Sequence, residues 1–242
     1  MTHTLPDYTT KYKLTTIYSQ IDSGELAARL GALSRYDRRG NVIWQTGFEY
    51  GMKNWSTLIS PGAGTIEAST DHAEIGEYAM KYTHQDVSGN SLMASIRIPP
   101  AVLGRQAVEL AYSMDPNIAH ISLEPTIYTG SYRLEPKVVI DNANDRITYV
   151  DSTGTEQVLA TDVFQYNSTS IFHKLKCFYD SEKIEYIRVM LDSVTYDMTG
   201  IKMYKVTNTT APHIWIQIES ENGSADTNEM FVDNVILTQN EP

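Results

Sequence analysis

Fourteen short runs of strand-forming residues follow one another from residue 41 to the end of the chain, and they leave room for little except an all-β fold. They fall at 41–46, 55–59, 64–68, 77–84, 91–98, 106–114, 118–128, 131–140, 145–151, 156–160, 171–180, 184–192, 212–220 and 229–238. Ser91-Leu92-Met93-Ala94-Ser95-Ile96-Arg97-Ile98 and His213-Ile214-Trp215-Ile216-Gln217-Ile218-Glu219 alternate with period two, as strands with one buried face do. Gly, Asn, Asp or Pro separates the runs: Pro99-Pro100 ends one, and Asp115-Pro116-Asn117 and Asp151-Ser152-Thr153-Gly154 read as turns. So many strands at this spacing predict two packed antiparallel sheets, a jelly-roll β-sandwich. No linker interrupts 41–242, which reads as one domain.

The two ends of that domain carry its most distinctive short segments. Gly47-Phe48-Glu49, with Trp55 six residues on, reads as a turn entering a strand with a carboxylate at its edge. Phe231-Val232-Asp233-Asn234-Val235-Ile236-Leu237 is an apolar strand broken by one Asp-Asn pair. If these strands lie side by side, Glu49 and Asp233 meet at the seam, where they could share a hard cation such as calcium.

A chain of 242 residues buries about 70–75% of its unfolded surface, enough to fold without a disulfide or a metal. Cys177 is the single cysteine, so no intrachain disulfide forms, and alternation with Leu175 and Tyr179 predicts a buried thiol. Net charge is −11, with no long basic run, which argues against a nucleic-acid surface. No apolar run is long enough for a membrane helix, and the first residues lack the pattern of a signal peptide, so a cytoplasmic origin is expected.

Residues 1–40 differ from the rest. The first twenty or so are rich in Thr and Tyr without helical period and read as an extended arm carrying Tyr8, Tyr12 and Tyr18. Asp22-Ser23-Gly24-Glu25 has capping-box spacing, and Leu26, Leu30 and Leu33 follow at i, i+4, i+7, so a short helix is expected over 23–31, stopped by Gly31. Tyr8, Tyr12, Tyr18, Leu26 and Leu30 are the expected assembly contacts, with a second copy of the chain or with a capsid or tail protein.

Three sets of motifs resemble known families. Gly47-Phe48-Glu49-x-Gly51 with Trp55, then Gly76-Glu77-Tyr78-Ala79-Met80-Lys81-Tyr82, then Phe231-Val232-Asp233-Asn234-Val235, resemble the carbohydrate-binding jelly rolls. That resemblance implies a structural calcium held between Glu49 and Asp233. Phe172-His173-Lys174-Leu175-Lys176, Tyr186-Ile187-Arg188-Val189-Met190-Leu191 and Tyr196-Asp197-Met198-Thr199-Gly200 resemble the back sheet of concanavalin- and laminin-G-like sandwiches. Glu25-Leu26-Ala27-Ala28-Arg29-Leu30-Gly31 with the segment from Tyr36 to Trp44 resembles what precedes such sandwiches in phage structural proteins.

Sugar binding needs aromatic platforms flanked by polar groups. Trp215, Tyr112, Tyr128 and Tyr132 are the candidates. Catalytic residues are not expected. Glu219-x-Glu221 approaches the acidic triad of sandwich glycosidases but lacks its third member, and reads as a solvated turn at a strand end. Asp141-Asn142-Ala143-Asn144-Asp145 lacks the glycine and distal Glu of a calcium loop and reads as a hairpin turn. The histidines show no metal spacing, and no nucleophile-elbow or phosphate-loop motif is present. The expectation is a non-enzymatic virion protein, a capsid decoration or tail-associated jelly roll assembled in the host cytoplasm. The alternative is a carbohydrate-binding module that recognises a glycan through exposed aromatics.

Overall fold

A computed structural model describes residues 40–60 and 62–242. Tyr8, Tyr12, Tyr18, Leu26, Leu30 and the expected helix lie outside the described residues.

Seventeen strands form, in chain order β1 (Asn41–Thr46), β2 (Ser56–Ile59), β3 (Gly64–Ser69), β4 (Ala79–His84), β5 (Ser91–Ile98), β6 (Arg105–Met114), β7 (Ile118–Tyr128), β8 (Tyr132–Glu135), β9 (Val138–Asp141), β10 (Arg146–Val150), β11 (Glu156–Thr161), β12 (His173–Asp180), β13 (Glu185–Leu191), β14 (Val194–Asp197), β15 (Tyr204–Thr207), β16 (His213–Asn222) and β17 (Asn228–Gln239). They divide between two antiparallel sheets. The first has the order β14-β13-β12-β6-β17-β4-β3, with β1 also paired to β17. The second has the order β11-β10-β9-β7-β16-β5-β2, with β8 added to β7 and β15 to β8. This is the predicted jelly-roll sandwich.

Two strands, β14 and β15, were not foreseen; each has four residues and too little alternation to stand out. The run expected at 131–140 is two strands, because Pro136 has no N–H to give to a ladder. Asp141–Asp145 is the expected turn, a single 3₁₀ turn between β9 and β10.

The core lies between the sheets, filled by Leu110, Leu175 and Leu237 from the first and by Leu123, Ile216 and Ile218 from the second. Cys177 is fully buried among them, and burial pushes its thiol up to about 12. Polar groups that enter the core find partners. The Tyr82 hydroxyl donates to the Ile218 carbonyl at 3.0 Å, and His84 Nε2 meets Ser220 Oγ at 2.9 Å, each joining one sheet to the other. The Tyr186 hydroxyl donates to the Val150 carbonyl at 2.8 Å.

The seam between the domain's ends is as expected in one respect and corrected in another. β1 does pair with β17, from Asn41↔Gln239 to Thr46↔Val235. Gly47-Phe48-Glu49, however, leaves β1 rather than entering a strand. The Asp233-Asn234 break is a β-bulge: register shifts there, and Asn234 sits at φ 48. Before the bulge β17 pairs with β4, and after it with β1. The bulge is therefore where the last strand exchanges one neighbour for another.

Candidate functional site

Glu49 and Asp233 act on one loop. Asp233 Oδ2 accepts the amides of Glu74 and Ile75 at 3.0 and 3.1 Å, and Oδ1 accepts that of Asn234 at 2.7 Å. Glu49 Oε1 accepts the amides of Glu77 and Tyr78 at 2.9 and 3.2 Å. Four amides of the β3–β4 connection, two on each side of Gly76, are thus clamped by two carboxylates far apart in sequence. Gly76 between them has φ +84, and a Cβ there would lie 2.0 Å from Glu49 Oε1, so only glycine fits. Burial pushes the Asp233 carboxyl up to about 6, although the amides of Ile75, Asn234 and Glu74 pull it down. Among the described residues no three His, Cys, Asp or Glu side chains converge on a metal-sized site. Asp233 spends both oxygens on amides and Glu49 spends Oε1. This donor set fits a hydrogen-bonded clasp, and by side chains alone it does not fit a cation.

The second concentration of chemistry is on the outer face of the second sheet. Alternation along β16 sends Ile214, Ile216 and Ile218 inward and His213, Trp215, Gln217, Glu219 and Glu221 outward. On β7, the strand beside it, Tyr128, Thr126, Glu124, Ser122 and His120 stand opposite these five in the same order. On the other flank β5 sets Arg97 opposite Trp215 and Ser95 opposite Gln217. The register thus fuses three strands into one polar surface.

Lys137 organises its middle. Its ammonium is 3.9 Å from Glu124 Oε2 and 3.8 Å from Glu219 Oε2. Glu124 Oε1 also accepts from Thr126 Oγ1 at 3.0 Å and Gln217 Nε2 at 3.2 Å. Burial raises the Glu124 carboxyl above its ordinary range, while Lys137 and Thr126 act to lower it. Next to this group opens a cavity of about 430 Å³ lined by His120, Lys137, Asp141, Glu156, Glu219 and Glu221 among others. At the far end of the same face Trp215 is half-buried, with the Arg97 guanidinium 5.2 Å from its ring centre.

The four aromatics expected as platforms part ways. Trp215 is on this face. Tyr128 is too, but it is 8% exposed and stacked on His213 with ring centres 4.4 Å apart. Tyr132 belongs to β8, between β7 and β15, and packs toward the core, with the Lys205 ammonium 4.1 Å from its ring centre. Tyr112 is a correction: it is fully buried in the core, its hydroxyl donating to Gln165 Oε1 at 2.8 Å, and it presents no surface to a ligand. Glu219-x-Glu221 is a second correction. β16 continues to Asn222, so these carboxylates stand on a strand face beside Glu124 and Lys137 rather than in a turn. The signal for them was the same period of two that located Trp215. Their companions on β7 and just before β9 are brought in only by strand pairing.

No protein-family model matches the chain, and no curated protein matches it. Solved structures do share its architecture. An endo-β-1,4-glucuronan lyase from the fungus Trichoderma reesei matches with TM-score 0.52 at 12% identity, over 82% of this chain and 95% of that one. The carbohydrate recognition domain of Emp46p, in its potassium-bound form, matches with TM-score 0.50 at 9% identity, over 84% and 96%. A sialidase matches with TM-score 0.51 at 10% identity over 84% of this chain, which spans only 19% of that protein. At such identities the likeness shows the fold: a jelly-roll sandwich shared by lectin-like domains and by carbohydrate-cleaving enzymes.

Proposed function

We propose that this chain is a carbohydrate-recognition sandwich that holds a glycan along the outer face of the second sheet without cleaving it. One observation carries the reading. Trp215 lies in line with a row of hydrogen-bonding side chains, Gln217, Glu124, Thr126, Lys137 and Glu219, that leads into the 430 Å³ cavity. The indole offers an apolar surface to a sugar ring, and the row offers donors and acceptors spaced by the strand repeat to successive hydroxyls. That solved sandwiches of this shape include a carbohydrate recognition domain supports the same reading. Glu124 and Glu219 are tied to one ammonium, an arrangement suited to fixed hydrogen bonding more than to proton transfer.

The finer setting, a virion surface protein, rests on the resemblance of residues 25–44 to segments of phage structural proteins; mass spectrometry of purified particles tests it. A calcium ion at the clasp is likewise carried by resemblance. It would use Glu49 and Asp233 with backbone carbonyls and would brace the β3–β4 loop.

A glycan array followed by calorimetry tests the main proposal. Trp215→Ala is expected to weaken binding roughly 30-fold, about 2 kcal/mol, and Gln217→Ala less, with the fold intact by circular dichroism. No retention of any glycan across a broad array would overturn it. Release of shorter products from a bound glycan would overturn its non-catalytic part.

A further inference from the structure

Residues 162–172 carry the chain from β11 in the second sheet to β12 in the first, and this loop turns two aromatic rings to solvent. Burial alternates along its first half: Val163, Gln165 and Asn167 are half-buried, and Phe164 and Tyr166 between them are exposed. Phe164 is 82% exposed and Tyr166 71%. One exposed ring on a surface means little. Two rings on one side of a segment that the fold holds still mean more.

The residues between the rings are tied down. The Val163 amide donates to the Asp145 carbonyl at 2.8 Å. Gln165 Oε1 accepts from the Tyr112 hydroxyl at 2.8 Å, so the fully buried Tyr112 anchors the loop from inside the core. Asn167 Nδ2 donates to Asn142 Oδ1 at 2.5 Å. The backbone is held as well: the Tyr166 carbonyl oxygen lies 3.2 Å from His173 Nε2, and the Thr169 carbonyl accepts from Ser113 Oγ at 2.8 Å. Phe164 and Tyr166 are therefore in place before anything binds, which lowers the ordering cost of a contact. The anchors also fix where the rings stand. Asn142 and Asp145 bracket Ala143 and Asn144, which line the 430 Å³ cavity. One rung of the second sheet leads to the same turn, since Glu221 pairs with His120 and His120 with Asp141. The rings thus stand just past the cavity, at the opposite end of the polar row from Trp215.

We propose that Phe164 and Tyr166 form a second aromatic platform, on which the far end of a glycan stacks after crossing the cavity. The inference rests on the glycan-binding reading and adds the length of the ligand. Trp215 and Glu221 are six residues apart on β16, about 20 Å, and the loop lies beyond Glu221. A glycan that touches both platforms is therefore an oligosaccharide of several units. Residues two apart in an extended run lie about 6.6 Å apart on the same side, so one ligand meets both rings. Area favours a sugar over a protein partner. Two aromatic side chains offer about 300–500 Å² at most, short of the roughly 800 Å² that each side of a stable protein interface buries. Stacked sugar rings need no more than the two faces.

Calorimetry on the full chain tests the inference, with a disaccharide and a hexasaccharide of a linkage that the wild type retains on the array. The double variant Phe164→Ala, Tyr166→Ala is expected to bind the hexasaccharide roughly 10-fold more weakly and the disaccharide as the wild type does. Trp215→Ala is expected to weaken both. Both rings are exposed, so the double variant should keep the wild-type melting temperature. Equal affinity of wild type and double variant for the hexasaccharide would overturn this inference and leave the glycan-binding reading standing. No retained glycan of any length would overturn both. Sedimentation supplies a further measurement that needs no glycan. A wild-type dimer that the double variant fails to form would overturn the inference, because the rings would then be covered by a second copy of the chain.

Discussion

Glu49 is an exposed carboxylate whose worth lies in geometry. It accepts two amides of a loop that has no strand partner, and Gly76 exists to let it approach. Removing it orphans those amides at a cost of about 1 kcal/mol, because water reaches them. Glu49→Ala is therefore expected to lower the melting temperature by roughly 2–4 °C. The clasp and calcium readings separate on chelation. If amides are the whole load, EDTA leaves the wild-type melt unchanged. If calcium is held, EDTA lowers it, and Glu49→Ala abolishes that response.

Within an element, period and register do different work. Period two along β16 alone sorts its isoleucines inward and its polar residues outward. Register decides which outward residues meet: Glu219 opposite Ser122, Gln217 opposite Glu124, Trp215 between Arg97 and Thr126. β17 shows how much rides on one residue. Its bulge at Asp233-Asn234 keeps Val232 and Val235 both in the core although they are three residues apart. Inserting one further residue after Asn234 would slide the rest of β17 by one position and turn Val235 and Leu237 out of the core. The expected outcome is loss of the folded state, seen as insoluble expression or a non-cooperative thermal transition.

At the scale of the whole molecule, two buried titratable groups give stability opposite slopes with pH. Burial lowers His84 to about 4. It stays neutral in the fold while the unfolded chain takes up a proton near pH 6.5, so its contribution is complete above pH 6.5 and is lost as pH falls toward 4. After solvent screening this amounts to about 2 kcal/mol. Asp233, raised to about 6, acts the other way: its contribution is greatest below about 4, and is lost as pH rises through 6. Denaturation at pH 7 and pH 4.5 checks both. His84→Gln should remove the acid-side loss, whereas Asp233→Asn should make the acid-side loss steeper. Parallel pH profiles in the wild type and both variants would refute the assignment.

The chain's local patterns were enough for the sandwich. Alternation and turn residues act over a few positions, so they can be read from neighbours, and they located most strands within two residues. They also placed Cys177 inside, and they raised the pairing of the first and last strands as a condition that the structure meets. What they could not supply was the second partner of each side chain. Tyr112 and Trp215 look alike as aromatics in alternating runs, and only the packing of one sheet on the other puts the first in the core and leaves the second outside. Glu219 and Glu221 looked like a solvated turn until β7 and the residue before β9 brought Glu124 and Lys137 beside them. Strand pairing joins residues about a hundred positions apart, and no local pattern records which strands will pair. The sequence by itself therefore determined the class of fold. The tertiary structure alone decided which side chains share a face, because that depends on contacts between segments that never meet along the chain.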